Sequence, residues 1–392
     1  MKIAIIGGGA SGVIASIKAS EIGDVTLFER NDKCLRKLLL TGNGKCNYWN
    51  SSITKDKYQT DNYNNLEKIL TRKEEVFNYL TNIGIYPTIK NDLYYPYSGT
   101  SYSIKEILDN KLSKVNIIYN AKIDNIKKED KFIITVNNKE YIFDKLILST
   151  GSCATPKTGS DGSGYDILKK FNHTINTPLP ALVQIKTNGS YLKDWSGLRV
   201  DANIKLYVND NYIKEESGEL QLTEFGLSGI CIFNLSSIIS KSLYQNKKVK
   251  LSINFFKEDF YSFMEQRSKI IDDSLSLQIE SIFNYKLSNI FFKLSKINKD
   301  IKWQDLSKEE KIIFSNLVNN FEVTVIGTND FDKAQVATGG LSLNEINPQT
   351  MESIIIDNLY ITGELLDVDG ICGGYNLSFA FITGYIAGEL ND

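Results

Sequence analysis

Three glycines, Gly7, Gly9 and Gly12, follow a short apolar run from Lys2 to Ile6 and open a segment, Ala10 to Ile22, whose apolar residues Val13, Ile14, Ile17 and Ile22 recur at helical spacing. A strand, a glycine turn and a helix in this order place unpaired backbone N–H groups and the positive end of a helix dipole at one point, which suits a diphosphate. Glu29 stands 22 residues beyond Gly7, at the end of a second apolar run from Val25. There a carboxylate can accept hydrogen bonds from the hydroxyls of an adenosine ribose and disfavours a 2′-phosphate. The chemistry predicted is binding of an ADP-containing cofactor. NAD and FAD present the same ADP moiety, so the motif does not choose between them.

Few other residues offer chemistry of their own. His173 is the sole histidine, so any Ser-His-Asp or Cys-His mechanism would rest on it, and no GxSxG strand-to-helix elbow accompanies it; a capping or packing role is expected. The five cysteines, Cys34, Cys46, Cys153, Cys231 and Cys372, are widely spaced and form no CxxC pair. That pattern speaks against zinc or dithiol chemistry, so no metal is expected, and it fits a reduced, cytoplasmic compartment. With 45 Lys plus Arg against 47 Asp plus Glu, the net charge of −2 gives no global basic field to recommend nucleic acid or an anionic membrane. The longest apolar stretch, Leu377 to Ala387, is interrupted by Ser378, Thr383 and Gly384, so no membrane span is expected. Gly7 to Gly9 likewise break the apolar start that could pass for a signal peptide.

These residues need a scaffold. The 392 residues suggest two or three domains of ordinary globular composition, 42% hydrophobic and 23% charged. The opening segment is a βαβ unit, which makes the fold class α/β. Helical spacing recurs over Leu66 to Ile83 and Ser103 to Leu112, and Val115 to Tyr119 reads as a strand. Lys131 to Val136 and Lys139 to Phe143 flank Asn137-Asn138, a hairpin turn, and Lys145 to Thr150 reads as a buried strand ending at Gly151. From about Thr187 alternating strands appear, such as Asn203 to Val208 and Tyr212 to Glu216 around the Asn209-Asp210-Asn211 turn. Phe255 to Phe321 turns helical, Lys-rich and nearly free of Gly and Pro. The expected division is a discontinuous cofactor domain from 1–186 and 332–392, an antiparallel β domain from 187–255 and 321–331, and a helical insertion over 256–320.

The segment Arg36-Lys37-Leu38-Leu39-Leu40-Thr41-Gly42-Asn43-Gly44-Lys45-Cys46-Asn47 resembles the RKLxxSGGGRCN signature of the HI0933-like flavoproteins, a bacterial family of FAD-dependent oxidoreductases, and departs from it at Asn43 and Lys45. Leu148-Ser149-Thr150-Gly151, Pro156 to Ser160, Leu222 to Gly229, Ala334 to Gly340, and Gly363 to Gly370 continuing through Gly373-Gly374-Tyr375-Asn376-Leu377 are similar to further segments of that family. The resemblance implies FAD rather than NAD as the tightly held cofactor, in a discontinuous Rossmann-like domain of the two-dinucleotide-fold type. Carried over residue by residue, it implies that Gly7, Gly9, Ala10, Ser11, Gly12, Glu29 and Arg30 surround the ADP portion, with Ile123 meeting adenine through its backbone. Lys37, Leu38, Thr41, Gly42, Asn43, Gly44, Cys46 and Asn47 would lie along the isoalloxazine and ribityl chain, where Gly42 and Gly44 would let backbone approach a flat ring. Cys46 is read as a small buried filler. Thr150 and Gly151 would pass the diphosphate or adenosine side. Gly363 and Glu364 would meet the ribityl hydroxyls or diphosphate. Gly374, Tyr375, Asn376 and Leu377 would reach the flavin pyrimidine edge, with Asn376 capping a helix from about Leu377 to Leu390 whose N-terminus favours the reduced anion.

The resulting expectation is an FAD-dependent oxidoreductase that moves hydride through flavin N5, with a small-molecule substrate where the domains meet the flavin. The resemblance implies NAD(P)H-linked reduction, in some members of conjugated enones of steroid type. No second GxGxxG is visible, so no NAD(P)H domain of the disulfide-reductase type is indicated and the sequence leaves the electron donor open; NAD(P)H is the candidate for a transient reductant. No catalytic residue is assigned; Tyr375 and Tyr95 are phenols able to donate a proton. The rival expectation is a non-catalytic flavin-binding module that senses redox state or joins a complex.

Overall fold

The structure, a computed structural model, describes residues 1–390. They form two compact units, one built from Met1–Ala181 and the segment from Phe331 onward, the other from Leu182–Asp330.

In the first unit β1 (Lys2–Ile6) and β2 (Asp24–Phe28) run parallel and are joined by α1 (Ala10–Ala19). The sheet has the order Leu359–Ile361, Lys145–Leu148, β1, β2, Asn116–Ile118, with every neighbouring pair parallel. β1 buries every residue after Lys2, and Lys145–Leu148 buries all four, as central strands of a sheet covered on both faces must. The domain is therefore discontinuous: a strand more than 200 residues downstream adds to the sheet begun by residues 2–6. The hairpin Phe132–Val136 and Lys139–Phe143 turns on Asn137 and Asn138 at φ 50° and 62°, the left-handed pair that a two-residue turn requires.

Two elements differ from expectation. The span Leu66 to Ile83 is two helices, Tyr63–Leu70 and Lys73–Asn82. At the break the Thr71 hydroxyl donates back to the Lys68 carbonyl, competing with helix continuation, and Arg72 ion-pairs with Glu75 and Glu389. Ile175–Ala181 forms a strand although it contains Pro178 and Pro180. It pairs antiparallel with Val336–Leu341; its ladder shifts register between Asn176 and Leu179, which leaves Pro178 out of the pairing, while Pro180 stands opposite Ala337.

In the second unit six antiparallel strands close into a barrel in the order Ile185–Thr187, Gly226–Ser228, Asn211–Thr223, Arg199–Val208, Val249–Asn254, Phe321–Thr328, the last pairing back onto the first. Between the last two strands run the helices Phe260–Arg267, Leu275–Glu280, Tyr285–Ser295 and Lys308–Asn319, gathered on buried Phe260, Phe291, Phe314 and Trp303. The architecture is α/β: a discontinuous Rossmann-like domain, an antiparallel β domain and a helical insertion.

Candidate cofactor site

The turn from β1 into α1 leaves Gly9 before the first helical turn, with no side chain capping it. The first bond of the helix ladder runs from the Val13 N–H to the Gly9 carbonyl, so the amides of Ala10, Ser11 and Gly12 have no acceptor within the helix. A Cβ on Gly12 would lie 1.9 Å from the Gly7 carbonyl oxygen, so turn and helix meet backbone to backbone. A Cβ on Gly9 would meet nothing within 4 Å. Open space beside Gly9 thus adjoins a positive helix end with three amides that have no acceptor in the helix, which fits a diphosphate.

Glu29 is buried beside this turn. Its Oε2 accepts the Gly8 N–H at 2.7 Å and its Oε1 accepts the Asn31 N–H at 2.8 Å, which fixes the carboxylate. The Ala121 N–H donates to the Glu29 carbonyl, bringing the chain that continues to Ile123 to the same end. Arg30 ion-pairs with Asp161 at 2.6 Å and donates to the Gly159 carbonyl. Thr150 follows Lys145–Leu148, and its buried Oγ1 has no partner among the described residues. An unpaired hydroxyl at this end is chemistry that a ligand oxygen would satisfy.

The helix Tyr375–Glu389 packs on α1 through small residues. A Cβ on Gly384 would lie 2.2 Å from the Ser11 carbonyl oxygen, and one on Gly388 would lie 2.8 Å from that of Ala15. Ser11 meets Gly384 and Ala15 meets Gly388, so the helices run parallel. Ser11 is the second residue of its helix and Gly384 the tenth of its own. An eight-residue offset at the α-helical rise places the later N-terminus about 12 Å beyond that of α1. There the first ladder bond is Ser378 N–H to the Gly374 carbonyl, leaving the amides of Tyr375, Asn376 and Leu377 without acceptors in the helix. Two positive helix ends with this offset fit a diphosphate at one and an electron-accepting ring edge at the other.

Asn376 does not cap this helix. The helix begins at Tyr375, after Gly374 at φ 90°. Asn376 is its second residue, with helical backbone, and its side chain turns back to accept the Gly370 N–H at 2.8 Å and donate to the Gly370 carbonyl at 2.7 Å. Tyr375 is buried edge-on to Tyr58, and burial raises its phenol above the ordinary value.

The loop Thr41–Asn47 passes through left-handed Gly42, Asn43, Gly44 and Cys46. Where the family signature has a glycine, Asn43 takes a left-handed conformation, which asparagine tolerates. Lys37 beside Leu38 reaches Glu364 at 2.7 Å, and the other Glu364 oxygen accepts the Ala337 N–H at 3.0 Å. This joins the signature loop, the Gly363–Leu365 turn and the Val336–Leu341 strand. Burial pushes the Cys46 thiol up to about 12, the behaviour of a filler rather than a nucleophile. Asn50 and Asp367 belong to the same framework and escape sequence reasoning; Asp367 accepts the Gly339 N–H at 3.0 Å.

His173 has a geometry that invites another reading, with Nδ1 2.8 Å from Glu345 Oε2 and Nε2 3.1 Å from Ser353 Oγ. Ser353 Oγ accepts the Ile355 and Ile356 N–H groups at 3.0 and 2.9 Å, so its one proton is directed at the buried ring. The hydroxyl is engaged in holding a turn, and the histidine is a packing tie. Burial alone would raise the Glu345 carboxyl, but hydrogen bonds from Thr174 and His173 outweigh it and hold the group below its ordinary value. Among the described residues no cluster of His, Cys, Asp or Glu could hold a metal, and no helix is long and apolar enough to cross a membrane.

The family model described as the HI0933-like protein Rossmann domain matches residues 1–390. The chain belongs to the HI0933-like family. The chain is 34% identical over 401 residues to a 3-dehydro-bile acid delta(4,6)-reductase of Clostridium scindens, covering 99% of this chain and 98% of that one. It is 26% identical over 407 residues to a ribosomal RNA dihydrouridine synthase of Haemophilus influenzae, covering 97% and 96%. Among solved structures, the open conformation of a flavocytochrome c3 fumarate reductase superposes with a TM-score of 0.52 at 12% identity, over 99% of this chain and 77% of that one, a likeness of fold. This HI0933-like chain therefore carries a Rossmann-like FAD-binding domain and is a flavin-dependent oxidoreductase.

Proposed function

We propose that the protein reduces a carbon–carbon double bond conjugated to a carbonyl in a small, largely apolar molecule, with NAD(P)H as the source of hydride. The observation that carries the cofactor half of this reading is the pair of offset helix N-termini, with Glu29 fixed beside the first. Bound FAD would supply the chemistry of accepting hydride from a nicotinamide and passing it from N5 to an electrophilic carbon. The protein's part is position and charge. The amides of Ala10, Ser11 and Gly12 would hold the diphosphate and Glu29 the ribose. The amides of Tyr375, Asn376 and Leu377 would favour negative charge at the pyrimidine edge. Tyr375, whose phenol burial raises above its ordinary value, and Tyr95 are the phenols proposed to return a proton to the substrate.

The full-length similarity to a bile acid reductase supports the small-molecule substrate class. A second reading, reduction of a uracil ring in RNA, is favoured by the dihydrouridine synthase relative. Charge speaks for the first: residues 256–320 hold ten basic and ten acidic side chains. Several of these lysines are paired, Lys302 with Asp272, Lys311 with Glu265, and Lys293 with Asp194, so the Lys-rich insertion offers no excess positive charge to phosphates.

Purified protein mixed with FAD and titrated anaerobically with NADH or NADPH tests this. Flavin bleaching, followed by reoxidation on adding a 3-oxo-Δ4 steroid, is expected. A protein that gains no flavin absorbance refutes the cofactor assignment. Flavin that NAD(P)H never bleaches favours a redox-sensing module, and reoxidation by ribosomal RNA but not by the steroid favours the RNA reading.

A further inference from the structure

We infer that Asn50 is a positioning residue that, together with Asn47, locks the Gly373–Gly374 peptide group and so fixes the end of the Tyr375–Glu389 helix; this rests on the reading that this helix end faces the flavin ring. Asn50 is 5% exposed and lies in the two-residue strand Trp49–Asn50, paired with Tyr94 and Leu93. Its Nδ2 donates to the Gly373 carbonyl at 2.9 Å. The N–H of the same peptide group belongs to Gly374. It donates at 3.2 Å to the Asn47 side-chain oxygen in the amide orientation that also lets Asn47 donate to the Tyr94 and Trp49 carbonyls.

In a trans peptide the C=O and N–H point in opposite directions, so these two asparagines grip one peptide plane from both sides. The grip matters because Gly373 and Gly374 stand at φ 134° and 90°. Glycine at both positions leaves the intervening plane free to rotate, with no side chain to bias it. A flip would exchange a carbonyl for an N–H immediately before the three free amides. Asn376 holds Gly370 at the start of the same loop through two further bonds. A Cβ on Gly374 would also lie 2.7 Å from the Trp49 carbonyl oxygen, so the Trp49–Asn50 strand and this loop are already in backbone contact. The lock therefore acts at a joint between the strand, the loop and the helix end.

Two variants separate locking from mere proximity. Asn50→Asp keeps the oxygen that accepts the Ser52 N–H at 2.8 Å, so it preserves the local turn while removing the donor to Gly373. Asn50→Leu removes the donor without adding charge. In the FAD-loaded protein the two-electron midpoint potential is measured by dye equilibration, beside FAD affinity and the melting temperature. Both variants are expected to lose preference for reduced over oxidised flavin by roughly three- to tenfold, the upper figure being roughly 30 mV. The aspartate should shift further, because its charge repels the reduced anion. An unchanged potential in either variant with FAD fully bound overturns the inference; a shift in the aspartate alone assigns the effect to charge, not to a held peptide. A wild-type potential no higher than that of free FAD instead removes the reading of the helix end on which the inference rests.

Discussion

Gly9→Ala should separate folding from cofactor capture. Gly9 sits at φ −77° and ψ −172°, a conformation open to alanine, and its added methyl would meet no atom within 4 Å. In the FAD-free protein two small effects oppose each other. Alanine narrows the unfolded ensemble, worth about 0.4–1 kcal/mol, and is a poorer residue than glycine before a helix, costing about as much. Stability should therefore stay within about 1 kcal/mol of wild type. The same methyl would occupy open space beside the start of the helix that carries the Ala10, Ser11 and Gly12 amides. If a diphosphate lies there, displacing it costs about 1–3 kcal/mol, an overpacking penalty equivalent to a roughly 5- to 150-fold weaker FAD dissociation constant. Fluorescence titration of FAD into flavin-stripped protein measures the second effect, and thermal melting of the same preparation measures the first. Wild-type FAD affinity with a wild-type melting temperature would refute the placement of the diphosphate. A steep fall in melting temperature would refute the openness of the space.

Other substitutions and labels probe neighbouring claims. Gly384→Ala improves helix propensity by about 1 kcal/mol, yet places a methyl 2.2 Å from the Ser11 carbonyl oxygen. Because the obstacle is backbone, α1 and the later helix must part, and a net loss of about 1–2 kcal/mol is expected in chemical denaturation; a variant more stable than wild type would contradict the close crossing. Cys46, with its thiol pushed to about 12, is ionised in about one molecule in ten thousand at pH 8. Iodoacetamide followed by peptide mapping should leave Cys46 unmodified in the folded protein and alkylated after guanidinium treatment, and stoichiometric labelling of the native state would show a reactive thiol instead.

Legibility followed range along the chain. The β1–α1–β2 unit, the Asn137-Asn138 hairpin and the helical run before Phe321 are local, and periodicity with turn chemistry reveals them. The glycine motif and Glu29 could be placed because one short unit carries both. The helix break at Thr71 and Arg72 was hidden because the Glu389 partner of Arg72 lies 317 residues away. His173 gave no sign of Glu345 and Ser353, which lie 172 and 180 residues further on. The strand Ile175–Ala181 was masked by its prolines: the register shift against Val336–Leu341 leaves Pro178 out of the pairing, and Pro180 stands opposite Ala337. Asn376 looked like a cap because it precedes an apolar run, whereas the actual preceding residue is a left-handed glycine that frees the asparagine to hold Gly370. Asn50 carried no signal at all: its meaning depends on one carbonyl 323 residues away.

The parallel crossing of α1 with Tyr375–Glu389 also orders events during synthesis. A ribosome that has released only the first half of the chain has already made the glycine turn and Glu29, but α1 then shows solvent the small-residue groove where Gly384 and Gly388 will later lie. The nascent protein can offer a nucleotide half a handhold while lacking both the second helix end and the mate for its first helix. On the proposed placement of the cofactor, firm retention would need both helix ends, and so the segment from Tyr375 as well as the glycine turn.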